Sequence, residues 1–137
     1  MIEEEQGIES HIPHNPDLLS IIPTSRYKEL KLKYNFSGEE EKKLKKKLTE
    51  QPEFGKLVSY PGLNFKGTGL YKIHVPINNG PHDGRLIYAY YPNFTRIYLL
   101  VIYSKSQDKD LSKTQYKKLI ERSIEQQEIL EKNNKRR

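Results

Sequence analysis

The sequence predicts a small α+β domain, with an antiparallel β-sheet, two amino-terminal helices and one carboxy-terminal helix. Apolar residues are concentrated between Leu57 and Tyr103, in short segments that either alternate or are wholly apolar, as strands are. Segments on both sides of this stretch have helix-start signals and apolar residues at helical spacing. A chain of 137 residues is long enough for one such domain with tails.

The amino-terminal part of the chain differs in charge from the rest. The first 25 residues contain five acidic residues and neither Lys nor Arg, which gives a charge of −5. Residues 1–15 show no periodicity, and we predict a disordered or loosely attached acidic arm there. The predicted domain spans residues 16–131 and begins with a strand at the apolar run Leu18–Pro23, followed by a short helix. Residues 132–137 form a predicted basic tail.

Two helices begin with capping boxes, in which a Ser precedes a Glu or Gln by three residues. Ser37 and Glu40 predict a helix that ends near Glu50, with lysines over most of its surface. Ser112 and Gln115 begin the carboxy-terminal helix. This helix has one stripe at helical spacing that is expected to pack on the sheet, formed by Tyr116, Leu119, Ile120, Ser123, Ile124, Gln127 and Leu130.

Three strands joined by short loops are predicted between these helices. In Leu70–Val75 the alternation places Lys72 and His74 on the same face. Arg85–Tyr91 is rich in tyrosine and β-branched residues, and Arg96–Tyr103 is apolar on both faces, which is typical of a central strand. Because the helices are expected mainly on one face, the other face of the sheet should be open.

The open face would display Lys72, His74 and Arg85, with Lys105 at the end of the central strand. Lys and Arg neutralise phosphate, Arg can bind two of its oxygens at once, and an imidazole titrates near neutrality. From Lys56 to Lys105 there are six basic residues against one acidic residue, and the whole chain has a net charge of +6. This pattern favours a site for the phosphodiester of a nucleic acid.

Further residues are candidates for RNA binding through charge or through stacking on unpaired bases, namely Lys66, His82, Arg96, Tyr91 and Tyr103. Each has an ordinary structural alternative. A lysine on a strand is usually a solvated residue, and a tyrosine on a strand usually serves packing and cross-strand pairing. The lysines of residues 42–47 are likewise expected to form a solvated helix face.

The sequence also argues against several other sites and compartments. It contains no cysteine, so it has no disulfide and no thiolate metal site, and a reducing cytoplasm is the natural compartment. The histidines have no ligand partners at metal-site spacing, and we predict neither a metal nor another cofactor. No apolar run approaches the roughly 20 residues of a membrane span. The glycines of residues 67–69 precede a strand and not a helix, unlike a nucleotide-binding loop.

Five segments occur in an order and at spacings that resemble a known family: PEFGKLV, GTGLYKIHV, GRLIYAYY, RIYLLVIYSK and KDLSKTQYKKL. They cover roughly residues 37–120, and together they resemble RelE/HigB-type toxins of bacterial toxin–antitoxin pairs, in the RelE/ParE superfamily. The resemblance implies a RelE-like fold, similar to that of microbial ribonucleases. It also implies cleavage of messenger RNA, often on the ribosome, and a cognate antitoxin as partner.

By this resemblance the catalytic residues are Lys72, His74, Arg85 and Lys105. Arg85 would brace the scissile phosphate and stabilise charge in the transition state, while Lys72 and Lys105 would position and neutralise the RNA backbone. The family commonly has Arg or Lys at the position of His74, and a basic, glycine-rich loop where this chain has NNGPHDG. We hypothesise that His74 is the general base or acid of a cleavage that leaves a 2′,3′-cyclic phosphate.

The predicted function is therefore that of a cytoplasmic toxin, a metal-independent endoribonuclease that cleaves messenger RNA in a ribosome-dependent manner. Two alternatives stay open: a ParE-like inhibitor of DNA gyrase, and a non-catalytic module that binds RNA or protein. The presence of Lys72, His74 and Arg85 together favours cleavage over gyrase inhibition. The acidic arm is hypothesised to fold over the basic face and shield it.

Overall fold

A computed structural model describes residues 19–58, 69–78, 80–106 and 111–135. The predicted acidic arm and Lys66 lie outside these ranges. Within them the chain forms three helices and five strands, in the order β1 (Ser20–Pro23), α1 (Ser25–Lys33), α2 (Gly38–Glu50), β2 (Lys56–Leu57), β3 (Gly69–Ile77), β4 (Gly80–Tyr91), β5 (Arg96–Ser104) and α3 (Lys113–Lys135). A single 3₁₀ turn, Pro92–Phe94, joins β4 to β5.

The strands form one sheet in the order β1-β5-β4-β3-β2. The prediction of an α+β fold is confirmed, and β3, β4 and β5 pair antiparallel as expected. The expectation of a wholly antiparallel sheet is wrong, because β1 pairs parallel with β5, from Ser20 beside Arg96 to Pro23 beside Leu99. Since two helices and three strands separate β1 from β5, no hairpin turn forces these two strands to run in opposite directions.

Helices cover both faces of the sheet, and not mainly one face as predicted. One face packs with α1 and α2 in a cluster that includes Tyr27, Leu48, Tyr71, Leu86, Ile97 and Ile102. The opposite face packs with α3 in a second cluster that includes Leu70, Ile87, Ala89, Tyr98, Tyr116 and Leu119. An apolar stripe shows that a helix packs on something, but its spacing does not specify which face of the sheet receives it.

Both predicted capping boxes supply hydrogen bonds at helix starts. The Ser37 hydroxyl accepts from the Glu40 N–H at 3.1 Å. At the start of α3 the exchange is reciprocal, because the Ser112 hydroxyl accepts from the Gln115 N–H at 3.2 Å and the Gln115 side chain accepts from the Ser112 N–H at 2.7 Å. The helix that follows continues to Lys135, four residues past the predicted domain boundary at residue 131.

Glu41 joins α1 to α2. It accepts a hydrogen bond from the Tyr27 hydroxyl at 2.5 Å and one from the Lys31 ammonium at 2.9 Å. Partial burial opposes ionisation of Glu41, but the bonds from Lys31 and Tyr27 outweigh it and lower the pKa of this carboxyl. The charged pair therefore holds the two helices together on the first face of the sheet.

Candidate functional site

Two neighbouring strands place three of the predicted catalytic residues on one face. His74 of β3 lies opposite Arg85 of β4, and Arg85 lies opposite Tyr103 of β5. Residues directly opposite each other in antiparallel strands project to the same side, with Cβ atoms about 5 Å apart. His74, Arg85 and Tyr103 therefore form a row across three strands. Lys72, two residues before His74 on β3, shares this face.

A further cation belongs to this set, one that the sequence did not single out. Lys56 of β2 lies opposite Lys72 and is exposed. We call Lys56, Lys72, His74 and Arg85 the basic face. A strand of two residues shows no alternation, so the sequence marks Lys56 only as one of the basic residues from Lys56 to Lys105 and as part of the segment PEFGKLV.

The basic face occupies only part of its side of the sheet, because α3 covers the adjoining part. Ile87, two residues after Arg85, is fully buried against α3, and Leu70, two residues before Lys72, is 2% exposed. Lys72 and Arg85 are half-buried, while His74 is exposed. A phosphate at this boundary would be attracted more strongly than in bulk water, because the neighbouring protein lowers the effective dielectric constant.

Asp83 joins the start of β4 to the turn that contains Lys105. Its carboxylate accepts from the Ser104 hydroxyl at 2.5 Å, from the Ser106 hydroxyl at 2.9 Å and from the Ser106 N–H at 2.9 Å. Its backbone carbonyl accepts from the Lys105 N–H at 2.8 Å. We call these four bonds the Asp83 clamp. They hold the backbone of Lys105 beside the strand position two residues before Arg85.

The clamp also favours the ionised form of Asp83. The hydrogen bond from Ser104 is the main cause that lowers the pKa of this carboxyl, and the bonds from Ser106 and the nearby charge of Arg85 act in the same direction, against desolvation. In the sequence, Asp83 is notable only because it lies in the segment NNGPHDG, where the RelE/HigB family has a basic loop. In the structure the backbone carbonyl and carboxylate of Asp83 hold the backbone of the turn that contains Lys105, a candidate catalytic residue.

Two of the predicted RNA-binding residues lie elsewhere. Tyr91 pairs with Arg96 six positions along β4 from Arg85, about 20 Å away at the usual rise per residue. Tyr91 is 6% exposed, and its hydroxyl shares a 2.9 Å hydrogen bond with Ser123 of α3. The Arg96 guanidinium donates to Gln127 of α3 at 3.0 Å. The structure therefore supports packing roles for both residues and gives no support to RNA contact.

The remaining candidates differ in how far the structure describes them. Tyr103 lies in the same row as His74 and Arg85, but it is 5% exposed and packs in the cluster beneath α3. It therefore lies at the border of the basic face and does not project from it. His82 lies on β4, and its side chain is outside the described part of the chain. Lys66 is outside the described residues altogether.

Among the side chains that the structure describes, no group of three or more His, Asp or Glu could hold a metal ion. Of the helices in the same part of the chain, none is long and apolar enough to cross a bilayer. No protein-family model and no curated protein matches this chain.

The basic face combines fixed positive charge with one imidazole, the side chain that most often transfers protons in catalysis. Lys56, Lys72 and Arg85 can neutralise a phosphate, and the guanidinium of Arg85 can bind two of its oxygens. His74 is directly opposite Arg85, so a phosphate held by the guanidinium would lie within reach of the imidazole. This arrangement is suited to cleavage of a phosphodiester by acid–base catalysis.

Proposed function

We propose that this protein is a metal-independent endoribonuclease of the RelE/HigB type, a cytoplasmic toxin that cleaves messenger RNA. The observation that supports this most directly is the pairing of His74 with Arg85 on a sheet face, with Lys72 beside them. The family resemblance supplies the reaction and its usual setting on the ribosome. A cognate antitoxin that covers the basic face is the proposed partner.

In the proposed reaction the ribose 2′-oxygen attacks the adjacent phosphorus, and the bond from phosphorus to the 5′ oxygen of the next nucleotide breaks. The products are a 2′,3′-cyclic phosphate and a free 5′-hydroxyl. Neutral His74 accepts the proton of the 2′-hydroxyl while water protonates the departing 5′ oxygen, or the imidazolium form of His74 protonates that oxygen while water accepts the 2′-hydroxyl proton. Arg85 stabilises the charge that builds on the non-bridging oxygens, and Lys72 and Lys105 neutralise the RNA backbone.

The test is to map RNA ends by primer extension, with the purified protein and a messenger RNA, in the presence and absence of ribosomes. Wild-type protein should produce discrete new 5′ ends. Arg85→Ala should reduce their rate of formation by about 10²–10³-fold, the usual cost of losing one group that stabilises transition-state charge. Lys46→Ala, which removes an exposed cation of α2 that is not part of the basic face, is the matched control and should cleave normally.

Two results would overturn the proposal. One is the absence of new ends both with and without ribosomes, and inhibition of gyrase supercoiling in the same preparation would then favour the ParE-like alternative. The other is cleavage by Arg85→Ala at the wild-type rate. RNA binding that weakens with salt but yields no cleavage would instead indicate a non-catalytic binding module.

A further inference from the structure

A second basic site lies at the opposite edge of the sheet from β2. The pairing of β1 with β5 ends at Pro23 beside Leu99, although β5 continues to Ser104. Past that point a groove of about 580 Å³ separates α1 from α3, and Val101, Ile102 and Tyr103 of β5 line it. No strand neighbours this stretch of β5 on its outer side in the described ranges.

Cations lie on both walls of the groove. Arg26 and Lys33 belong to α1, and Lys118 and Arg122 belong to α3, while no lining residue is acidic. Arg26 forms an ion pair with Glu29 at 3.2 Å, on the exposed side of α1. Between the charged residues lie apolar side chains, which include Leu30 and Leu119. Its chemistry fits an extended peptide with acidic side chains at its margins and apolar side chains toward its floor.

We propose that the groove binds the acidic amino-terminal segment of this same chain, residues 1–18. That segment contains five acidic residues, no Lys or Arg, and apolar residues that include Ile2, Ile8 and Ile12. Its charge is therefore complementary to that of the groove. An extended segment can also pair its backbone with an open strand edge, which is how peptides commonly add to sheets.

The connection between segment and groove makes this binding intramolecular. Residue 18 directly precedes the described part of the chain, whose first strand, β1, lies on the same sheet edge as the groove. Extended, 18 residues span about 60 Å, whereas β5 from Arg96 to Tyr103 measures about 24 Å. The segment is long enough to turn back past β1 and lie along the groove. A short tether gives an effective concentration in the millimolar range.

A segment bound in the groove would lie close to the basic face. Tyr103 lines the groove and also lies opposite Arg85, so the bound segment would place negative charge one strand away from the candidate catalytic arginine. This consequence, unlike the binding itself, rests on the proposed function. It differs from the expectation that the acidic arm covers the basic face directly, because Lys72 and His74 are not part of the groove.

The chain has no cysteine, so Ser10→Cys creates a unique site for a nitroxide spin label in the full-length protein. In its ¹⁵N spectrum we expect loss of amide signal at Val101, Ile102 and Leu119, and no loss at Lys46 of α2. The signal should return at about 1 M salt, where charges are screened beyond about 3 Å. It should also return in Lys118→Glu combined with Arg122→Glu, a variant whose own spectrum reports whether it is folded.

Other patterns of signal loss would overturn the proposal. Loss confined to residues of the basic face would place the segment there, as a direct shield. Loss at the groove that disappears on dilution would mean that the segment belongs to a second copy of the chain. No loss anywhere in the sheet would mean that the segment does not bind the groove. An acidic segment of another protein would then be the candidate ligand.

Discussion

The sheet face that α3 crosses has two halves, built from the same strands, with opposite chemistry. In the covered half Ile87, Ala89 and Tyr98 are fully buried beneath the helix. In the open half Arg85 is half-buried and His74 is exposed. Both halves lie on the same side of the sheet, so strand alternation alone does not distinguish them. The path of α3 decides which residues serve packing and which can meet a ligand.

Polar groups in the covered half are paired within the protein. The Tyr98 hydroxyl donates to Gln127 at 2.7 Å, and the hydroxyls of Tyr91 and Ser123 are hydrogen-bonded to each other. Buried polar groups need such partners, because leaving them unpaired costs free energy. The tyrosines of this half therefore contribute to stability, and the ionisable residues of the open half are the candidates for chemistry.

The largest expected effect is on the chemistry of the open half. His74→Ala should reduce cleavage by about 10²–10⁴-fold, the usual contribution of a general acid or base. The thermal midpoint should change little, because the side chain is exposed. Added imidazole should restore part of the lost rate. A variant that cleaves at the wild-type rate would remove His74 from the mechanism.

In the covered half we expect a substitution to change stability. Ile87→Ala should lower the free energy of unfolding by about 2–5 kcal/mol, because it leaves a cavity between the sheet and α3. Urea denaturation measures this difference. Ile129→Ala is the matched control on α3, since Ile129 is 46% exposed and its truncation should change stability by less than about 0.5 kcal/mol. Equal effects from the two variants would mean that α3 does not cover Ile87.

A smaller effect is expected at Gly84, which lies between the Asp83 clamp and Arg85. An added Cβ there would lie 2.5 Å from the Val75 carbonyl oxygen and 2.7 Å from a methyl group of Ile77. Gly84→Ala should therefore cost about 1–3 kcal/mol of stability through overpacking, as a lower thermal midpoint. Gly38→Ala is the control, because a Cβ at Gly38 meets nothing within 4 Å. A neutral Gly84→Ala would show that the two strands can separate there without cost.

Local signals predicted the features that depend on spacing within one segment. These were the two capping boxes, the three hairpin-linked strands, and the common face of Lys72 and His74. Pairing of β1 with β5 joins residues more than seventy positions apart, and nothing in either segment specifies a parallel register. The sheet face on which α3 packs could not be predicted either, because it also depends on contacts between segments far apart in the sequence.

The candidate site was predicted in part, on the same grounds. The shared face of Lys72 and His74 follows from alternation, and the position of Arg85 follows from a tight connection between two strands. The contributions of Lys56 and Asp83 to the site could be recognised only once the fold was known. Lys56 reaches the basic face through a two-residue strand, and Asp83 acts through serines more than twenty positions away. Contacts of this kind leave no periodic trace in a sequence.

The smallest effect concerns the border of the open half, where Asp83 holds the turn of Lys105. Its lowered pKa means that Asp83 binds a proton more weakly in the folded chain than in the unfolded one. The stabilisation is therefore complete above the ordinary aspartate pKa of about 4, and is lost as pH falls through the lower, folded value. In Asp83→Asn the thermal midpoint should fall less steeply than in wild type below about pH 4.

Glu125→Gln is the control for this titration, since it removes an exposed carboxylate of α3 for which no hydrogen bond is described. The thermal midpoint of this variant should follow that of wild type at every pH. Ser104→Ala removes the bond that contributes most to the lowered pKa, and it should reproduce part of the Asp83→Asn behaviour. If Asp83→Asn instead parallels wild type at every pH, the clamp does not stabilise the fold through its charge. Lys105 would then be positioned by its backbone bond to the Asp83 carbonyl alone, which the substitution leaves in place.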